Sequence, residues 1–333
     1  MRDSGRNIKM SQKQAQHRKK RQMKNRMILL LFIISYVIIA FSVKRLNAQM
    51  KQMQTMMRKI ENARYESGEK ESKATEDTDY LDYVSTIGEV EVGKPVKRTW
   101  TETLQKLYKL GEKYPLIYEI SQNNSLYPES MLTALANNPE MADYVAGYRK
   151  RDEDKSMEIV CGWTAAEKEQ EYPLLLQWDP RWGYQPYGNS NYIGVAGCGP
   201  TCLAMVLYYL TGNDMFTPDR IAAYAMANGY YVDGTGTAWA LMKDLPQSYN
   251  IEVSGLKITE RALKGALDQG EILICAMREG DFTAAGHFIV IYGYDEKGFM
   301  VNDPNCVARS RKRWIYDEIG DQIKCVWSYR NFC

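Results

Sequence analysis

The stretch "GCGPTCLAMVLYYLTG", residues 197–212, places Cys198 and Cys202 at the start of an apolar run. Pro200 suits the first turn of a helix and the closing glycine suits a C-terminal cap, so the stretch predicts a helix over 199–211. Two residues four positions apart share one face of a helix. Either one of the two cysteines is a catalytic nucleophile, or both are small core residues.

The two cysteines differ in their expected surroundings. Cys198 precedes the first turn, where the helix dipole and free N–H groups stabilise a thiolate. Gly197 and Gly199 flank this cysteine and leave it open to approach. Cys202 falls on a stripe with Met205, as core residues do. We interpret Cys198 as the candidate nucleophile and Cys202 as a core residue.

A thiol nucleophile needs a base within hydrogen-bond reach. The chain has two histidines, and one of them, His17, lies in the basic N-terminal tail. His287 opens an apolar, β-rich run and is therefore the candidate general base. A single histidine is more often structural, but the cysteine context favours the catalytic interpretation.

The third part of such a site is an acidic residue that orients the imidazole, and the chain must bring it close to His287. Residues 287–303 predict an antiparallel hairpin about a turn at 295–298. Strict pairing would place Cys306 opposite the histidine, and a bulge or a longer turn would bring Asp303 into range. Asp303 is the candidate orienting acid, although an Asp before a proline is also typical of a strand end.

The remaining catalytic part is an oxyanion hole, formed by the N–H of Cys198 and a side-chain donor. The run "LLLQWDPRWG", residues 174–183, offers Gln177 as a neutral donor after an apolar segment. A solvated glutamine at a strand end fits the same position equally well.

The charge distribution is strongly asymmetric. Residues 1–26 carry ten Lys/Arg and one acid, which leaves −7 on the rest of a chain of net charge +2. Residues 27–43 are seventeen residues without a charge, which predicts an uncleaved transmembrane signal anchor. The positive-inside rule predicts that residues 1–26 form a cytoplasmic tail and that the catalytic domain is extracytoplasmic. The expected location is the cell membrane, with a single pass.

The remaining segments divide by composition. Residues 44–98 predict a helical stalk followed by an acidic flexible linker, and residues 99–150 predict a small helical region. A Thr–Glu pair at capping-box spacing opens that region, with Thr99 or Thr101 as the cap, and the first helix should stop at Pro115.

Residues 151–333 read as the catalytic domain. Helices are predicted over 217–229, 237–250 and 259–270, and strands over 271–277, 287–294 and 298–303. Helices followed by antiparallel strands indicate an α+β fold.

Several ligand and partner classes are excluded. No basic patch recurs after the N-terminal tail, so nucleic acid is not an expected partner. The glycine-rich run at 232–240 lacks the Lys-Ser/Thr of a nucleotide-binding P-loop. No metal-ligand cluster is visible, and no cofactor is expected. Seven cysteines leave at least one thiol unpaired in an exported monomer. The disulfide pairing of Cys161, Cys306, Cys325 and Cys333 stays open.

Four motifs in order carry a family resemblance. They are "QWDPRWG" at 177–183, "GCGPTCLAMVL" at 197–207, "GHFIVIYGY" at 286–294 and "VNDPN" at 301–305. Together they resemble the bacteriocin-processing cysteine peptidases of family C39, and within it the stand-alone, C39-like surface branch with a papain-like fold. The resemblance implies Cys198 as nucleophile, His287 as general base, Asp303 as orienting acid and Gln177 as oxyanion donor.

The expected protein is a membrane-anchored, extracytoplasmic cysteine peptidase with a peptide or protein substrate. A wall-peptide amidase or endopeptidase is a close variant. Two other classes stay open: a non-catalytic peptide-binding module on the same fold, and a tethered interaction protein acting through residues 46–150. The absence of an exporter's P-loop argues against leader-peptide processing.

Overall fold

The computed structural model describes residues 90–151 and 162–332, which all belong to one compact unit. The predicted tail (1–26), the predicted membrane anchor (27–43) and residues 44–89 of the predicted stalk and linker lie outside the described residues. Residues 90–99 have no regular secondary structure. None of the helices in the described ranges is long and apolar enough to cross a bilayer.

The N-terminal part of the described chain is helical. It consists of α1 (Trp100–Gly111), α2 (Pro115–Gln122), α3 (Glu129–Asn137) and α4 (Ala142–Gly147), with 3-10 turns at Asn124–Leu126, Pro139–Met141 and Tyr148–Lys150. Thr99 caps α1 in a capping box with Glu102, which resolves the choice between two threonines. The first helix ends at Gly111, and Pro115 opens the next helix instead of only stopping the first.

The remaining elements alternate short helices with strands. They are α5 (Ala165–Glu169), α6 (Ile193–Ala196), α7 (Cys198–Thr211), α8 (Pro218–Ala227), β1 (Tyr231–Val232), β2 (Gly236–Thr237), α9 (Leu241–Gln247), β3 (Ile251–Gly255), α10 (Glu260–Leu267), β4 (Ile272–Arg278), β5 (Gly286–Asp295), β6 (Gly298–Asn302), α11 (Val307–Arg311), β7 (Arg313–Trp314), α12 (Tyr316–Ile319), a 3-10 turn at Gly320–Gln322 and β8 (Ile323–Asn331). The α+β prediction is confirmed.

Helix α7 is the predicted helix of the opening stretch. Pro200 lies in its first turn, and Gly212 closes it in the left-handed region at φ 64°. Only a residue without a Cβ adopts that conformation cheaply, so the glycine ends the helix at this point. The helix interior from Gly199 to Leu207 is buried throughout. Such a helix is held by packing on all sides and not by an amphipathic face.

The main sheet has six antiparallel strands in the order β3-β8-β4-β5-β6-β7. The sequence pattern predicts three of these strands, which are the consecutive β4, β5 and β6. Strand β8 lies between β3 and β4 and carries no clear strand pattern. Its sequence "IKCVWSYRN" mixes charged, polar and aromatic residues, and its buried positions do not alternate regularly.

A β-bulge in the β5–β6 hairpin sets which side chains share a face. The two strands pair as Gly293↔Met300 near the turn and as Ile291↔Val301 beyond it, so Tyr292 is the extra residue. When the pairing beyond the bulge is continued by one residue, Asp303 lies opposite residue 289. It is then on the same face of the sheet as His287. Without the bulge it would lie opposite residue 290, on the other face.

The helical region and the sheet share one hydrophobic core. Buried residues of α1 to α4, such as Leu107 and Leu132, belong to the same cluster as Leu203 of α7 and Ile274 of β4. A second cluster lies between α10, α12 and the opposite face of the sheet, around Phe299. The helices before residue 151 are therefore packed as part of the same body as the sheet.

Four tyrosines connect the helical region to the loop that precedes α7. Tyr144 stacks on Tyr184 at 4.7 Å between ring centroids, and Tyr148 meets Tyr192 edge to face at 5.7 Å. The Tyr144 hydroxyl donates to the carbonyl of Gly183 at 2.8 Å. We call these four residues the tyrosine quartet.

A buried ion network fixes the loop that contains the "QWDPRWG" motif. The Arg181 guanidinium contacts the Glu167 carboxylate at 2.5 Å and the Asp179 carboxylate at 2.6 Å. The side chains of both acids are almost fully buried, at 1% and 3% exposed. Removal of the cation would leave two buried carboxylates without their charge partner, which is costly.

We predict that Arg181→Met lowers the free energy of unfolding by about 3–5 kcal/mol. Urea denaturation of the full chain measures the loss. The matched control is Lys168→Met, which removes the exposed Lys168–Asp214 pair at 2.7 Å and should cost less than about 1 kcal/mol. Equal losses in the two variants would contradict the argument from burial.

Candidate active site

The centre of the site is a buried pair between two strands of the hairpin. The His287 Nε2 atom lies 2.6 Å from the Asp303 Oδ1 atom, and the two side chains are 7% and 0% exposed. His287 lies at the start of β5, and Asp303 directly follows β6. Because Nε2 is engaged by the carboxylate, Nδ1 is the ring nitrogen that stays free for a second partner.

Asp303 accepts further hydrogen bonds that hold both of its oxygens. The backbone N–H of Asn305 donates to Oδ1 at 2.9 Å, and the Arg309 guanidinium donates to Oδ2 at 3.2 Å. Ser310 Oγ accepts from the backbone N–H of Asp303 at 2.8 Å. The carboxylate is therefore fixed in orientation as well as in position.

The surroundings of the pair favour the ionic form of both partners. Burial lowers the pKa of His287, but the charges of Asp303 and Cys198, and hydrogen bonding to both, raise it to about 10. Burial raises the pKa of Asp303, but the charge and hydrogen bond of His287, the charge of Arg309 and the Asn305 N–H bring it below its usual value. The imidazolium is therefore the favoured form at neutral pH.

The structure separates the two cysteines of α7. Cys198 is the first residue of the helix and is partly exposed, and it is one of the groups that raise the His287 pKa. Cys202 is fully buried, and burial raises the pKa of its thiol well above the usual value. A buried neutral thiol is inert, so the accessible sulfur is the one beside the imidazole.

The other cysteines within the described residues are also free thiols. Cys275, Cys306 and Cys325 have no disulfide partner there, and Cys161 and Cys333 lie outside the described residues. The described residues contain no cluster of three or more His, Cys, Asp or Glu side chains that could hold a metal ion.

Gln177 is buried next to the site and is not a solvated residue. Its Nε2 donates to the carbonyl of Gly194 at 3.1 Å, and its Oε1 has no partner among the described residues. Its backbone N–H donates to the carbonyl of Pro304 at 2.7 Å, so Gln177 is bonded to the residue after Asp303. One Nε2 hydrogen is used by Gly194, so a second one is available for a bound group.

The N-terminus of α7 is closely packed on one side. A Cβ on Gly199 would lie 2.6–2.9 Å from side-chain atoms of Thr237, so only glycine fits there. The Thr237 hydroxyl pairs with the Tyr187 hydroxyl at 2.7 Å, and burial, followed by the charge of Cys198, raises the pKa of Tyr187. The N-cap is Gly197, which has no side chain to occupy the first N–H groups of the helix.

Several residues of this site have no recognisable signal in the sequence. Arg309 lies six residues after Asp303 on a short helix, and only its burial distinguishes it from the neighbouring basic residues. Tyr187 and Thr237 come from separate loops and carry no spacing signal. The sequence could only have offered the proximity of Arg309 to the "VNDPN" motif.

The arrangement has the parts of a thiol-based acyl-transfer site: a sulfur at a helix N-terminus, an imidazole beside it and a carboxylate behind the imidazole. These parts come from the start of α7 and from the β5–β6 hairpin.

Comparison with known proteins adds a family. Residues 169–332 match the model of the Peptidase_C39 like family. The peptidase domain of Streptococcus ComA, a bifunctional ABC transporter involved in a quorum-sensing pathway, aligns at 16% identity with a TM-score of 0.37, over 48% of this chain and 99% of that one. A C39-like peptidase candidate from Bacillus anthracis aligns at 15% identity with a TM-score of 0.26, over 41% and 90%. No curated protein matches the chain.

The described residues form an α+β domain whose sequence is similar to the C39-like peptidases. The family match covers residues 169–332 and agrees with the resemblance carried by the four motifs. The family segment begins after the helical region that shares its core.

We predict that His287 stays protonated well above pH 7, with a pKa of about 10. Because this pKa lies above the usual value of 6.5, its stabilising effect is complete below about pH 6.5 and is lost as the pH rises through about 10. Imidazole NMR of the full chain measures the titration, and His17→Gln assigns the second histidine.

The variant Asp303→Asn removes the negative charge while keeping the side-chain size. We expect the His287 pKa to fall toward 6.5, with a matching loss of the pH dependence of stability between the two values. A wild-type His287 that titrates near 6.5 would contradict the assigned pair.

Proposed function

We propose that the chain is a cysteine peptidase in which Cys198 is the nucleophile, His287 the general base and Asp303 the orienting acid. The observation that carries the proposal is the position of the His287 ring, which bonds to Asp303 through Nε2 and interacts with Cys198. A histidine held between a thiol and a carboxylate is the arrangement that thiol hydrolysis needs.

The reaction begins with the Cys198 proton already on Nδ1 of His287, in keeping with the raised pKa of that imidazole. The thiolate attacks the carbonyl carbon of the scissile peptide bond, and the tetrahedral intermediate carries its negative charge on the former carbonyl oxygen. The imidazolium then gives its proton to the leaving amine, which leaves a thioester on Cys198. Water, deprotonated by the neutral imidazole, hydrolyses the thioester and restores the free thiol.

Asp303 contributes by fixing the imidazole. Its bond to Nε2 leaves Nδ1 for the sulfur, and its charge stabilises the imidazolium that faces the thiolate. The charge and hydrogen bond of His287, followed by the charge of Arg309, keep the pKa of the buried Asp303 carboxylate below its usual value. The carboxylate therefore does not need to accept the proton itself.

The oxyanion in this proposal is held by the N–H of Cys198 and by Nε2 of Gln177. The first is available because a helix leaves its first N–H groups without intrahelical partners. The second is buried, so its hydrogen bond to a developing charge is made away from bulk water. The Gly194 carbonyl holds the Gln177 amide in place at 3.1 Å.

The decisive test compares Cys198→Ala with wild type on a peptide library. We expect wild type to cleave peptides and the variant to lose about 10⁴-fold or more in kcat/KM, because the nucleophile is gone. Iodoacetamide should label Cys198 in wild type, and the labelling rate should rise with pH as the thiolate–imidazolium pair forms.

Cys202→Ala is the matched control, because it removes a buried thiol four residues away and should retain both cleavage and labelling. Cleavage retained by Cys198→Ala would overturn the mechanism. No cleavage by wild type, together with a Cys198 that is labelled no faster than a free thiol, would instead identify a peptide-binding module.

We also propose that residues 27–43 anchor the protein in the cell membrane with the catalytic domain outside. The support is the uncharged run of seventeen residues after ten basic residues. The substrate would then be an extracytoplasmic peptide or protein.

Intact cells expressing the full chain provide the test of this topology. The protein should stay in the membrane fraction after alkaline carbonate washing, and external protease should remove residues after 46 while protecting the tail. Release by carbonate would contradict the anchor. Protection of the catalytic domain would contradict the orientation.

A further inference from the structure

The loop that carries Asp303 is held from outside the family segment. Asn138 and Glu140 lie at the 3-10 turn Pro139–Met141 of the helical region, and they are 0% and 8% exposed. Both side chains reach across to residues 305–308 of the catalytic hairpin's return loop. We call the pair Asn138 and Glu140 the brace.

Glu140 binds the start of helix α11. Its two carboxylate oxygens accept hydrogen bonds from the backbone N–H groups of Val307 at 2.8 Å and Ala308 at 2.9 Å. These are the first two residues of the helix, whose N–H groups have no intrahelical partner. A buried carboxylate that accepts two N–H bonds fixes the helix position strongly.

Asn138 binds the residue that contacts the catalytic carboxylate. Its Nδ2 donates to the carbonyl of Asn305, which also accepts from Trp178 Nε1 at 2.9 Å. The N–H of the same Asn305 donates to Asp303 Oδ1. The Oδ1 of Asn138 in turn accepts from the N–H of Glu140 at 3.1 Å, so the two brace residues hold each other.

The two contacts converge on the two oxygens of Asp303. One route runs from Asn138 through Asn305 to Oδ1, the oxygen that faces His287. The other runs from Glu140 through the first turn of α11 to Arg309, which donates to Oδ2. The negative charge of Glu140 also contributes to the stabilisation of the Arg309 cation, against its burial.

We infer that Asn138 and Glu140 are positioning residues of the catalytic acid, and that the helical region before the family segment is part of the active-site machinery. This inference rests on the proposed function for its kinetic consequence, but not for its structural one. The brace acts through Asp303 and does not touch the substrate.

The expected effect of losing the brace is on the histidine. Asp303 and Cys198 are the groups that raise the His287 pKa, and Arg309 faces Asp303 from the other side. When the loop relaxes, the carboxylate is held less closely and the imidazolium is stabilised less. The basic limb of the kcat/KM profile, which reports loss of the imidazolium, should move to lower pH.

The test uses Glu140→Gln and Asn138→Ser in the full chain. The glutamine keeps the shape but replaces one acceptor oxygen by a donor that opposes an N–H. The serine keeps an acceptor for the Glu140 N–H but is too short to reach Asn305. We expect each variant to lower the His287 pKa and the basic limb by about one unit, so that kcat/KM changes little at pH 8 and falls by about tenfold well above pH 10.

The matched control is Glu129→Gln, an exposed acid on helix α3 of the same region, which should leave both readouts unchanged. Imidazole NMR separates this inference from the proposed function, because the His287 titration is visible even in a protein without peptidase activity. A His287 pKa unchanged in folded Asn138→Ser and Glu140→Gln would overturn the inference. If Glu140→Gln fails to fold, Asn138→Ser decides it alone.

Discussion

The structure depends on the ion pair between His287 and Asp303, which is almost completely buried. Burial of two charges is unfavourable unless geometry is good and the remaining lone pairs are satisfied. Here the carboxylate accepts from the imidazole and Asn305 on one oxygen and from Arg309 on the other. Much of the surrounding architecture serves these bonds, including the bulge in β5, the return loop after β6 and helix α11.

The pattern of the sequence predicts the parts of the site that are local in the chain. The proline, the closing glycine and the apolar run indicate α7 because each acts within the helix itself. The strands that follow one another, β4 to β6, were predicted for the same reason. Hairpin pairing predicts that Asp303 returns near His287. The face of the sheet on which Asp303 lies depends on a bulge at Tyr292, and no residue type in the sequence predicts that bulge.

The missed features are those made by distant segments. Strand β8 pairs with β3 on one side and with β4 on the other. This segment of mixed composition is a strand because it has a hydrogen-bonding partner along both of its edges. Arg309 and Glu140 look like ordinary surface charges in the sequence, since burial is decided by the packing of helices more than 160 residues apart. Gln177 was identified by its chemistry, and the structure adds that its amide is held by Gly194 and its backbone by Pro304.

The tyrosine quartet gives the protein a built-in optical reporter. Tyr144 and Tyr184 stack at 4.7 Å with an interplanar angle of 11°, and Tyr148 and Tyr192 lie edge to face within the same cluster. Aromatic rings fixed at such distances in an asymmetric packing couple their electronic transitions. The quartet should therefore contribute to the near-ultraviolet circular dichroism beside other stacked pairs such as Trp163 and Tyr208, and separation of the helical region from the loop before α7 would remove the quartet's share of that signal.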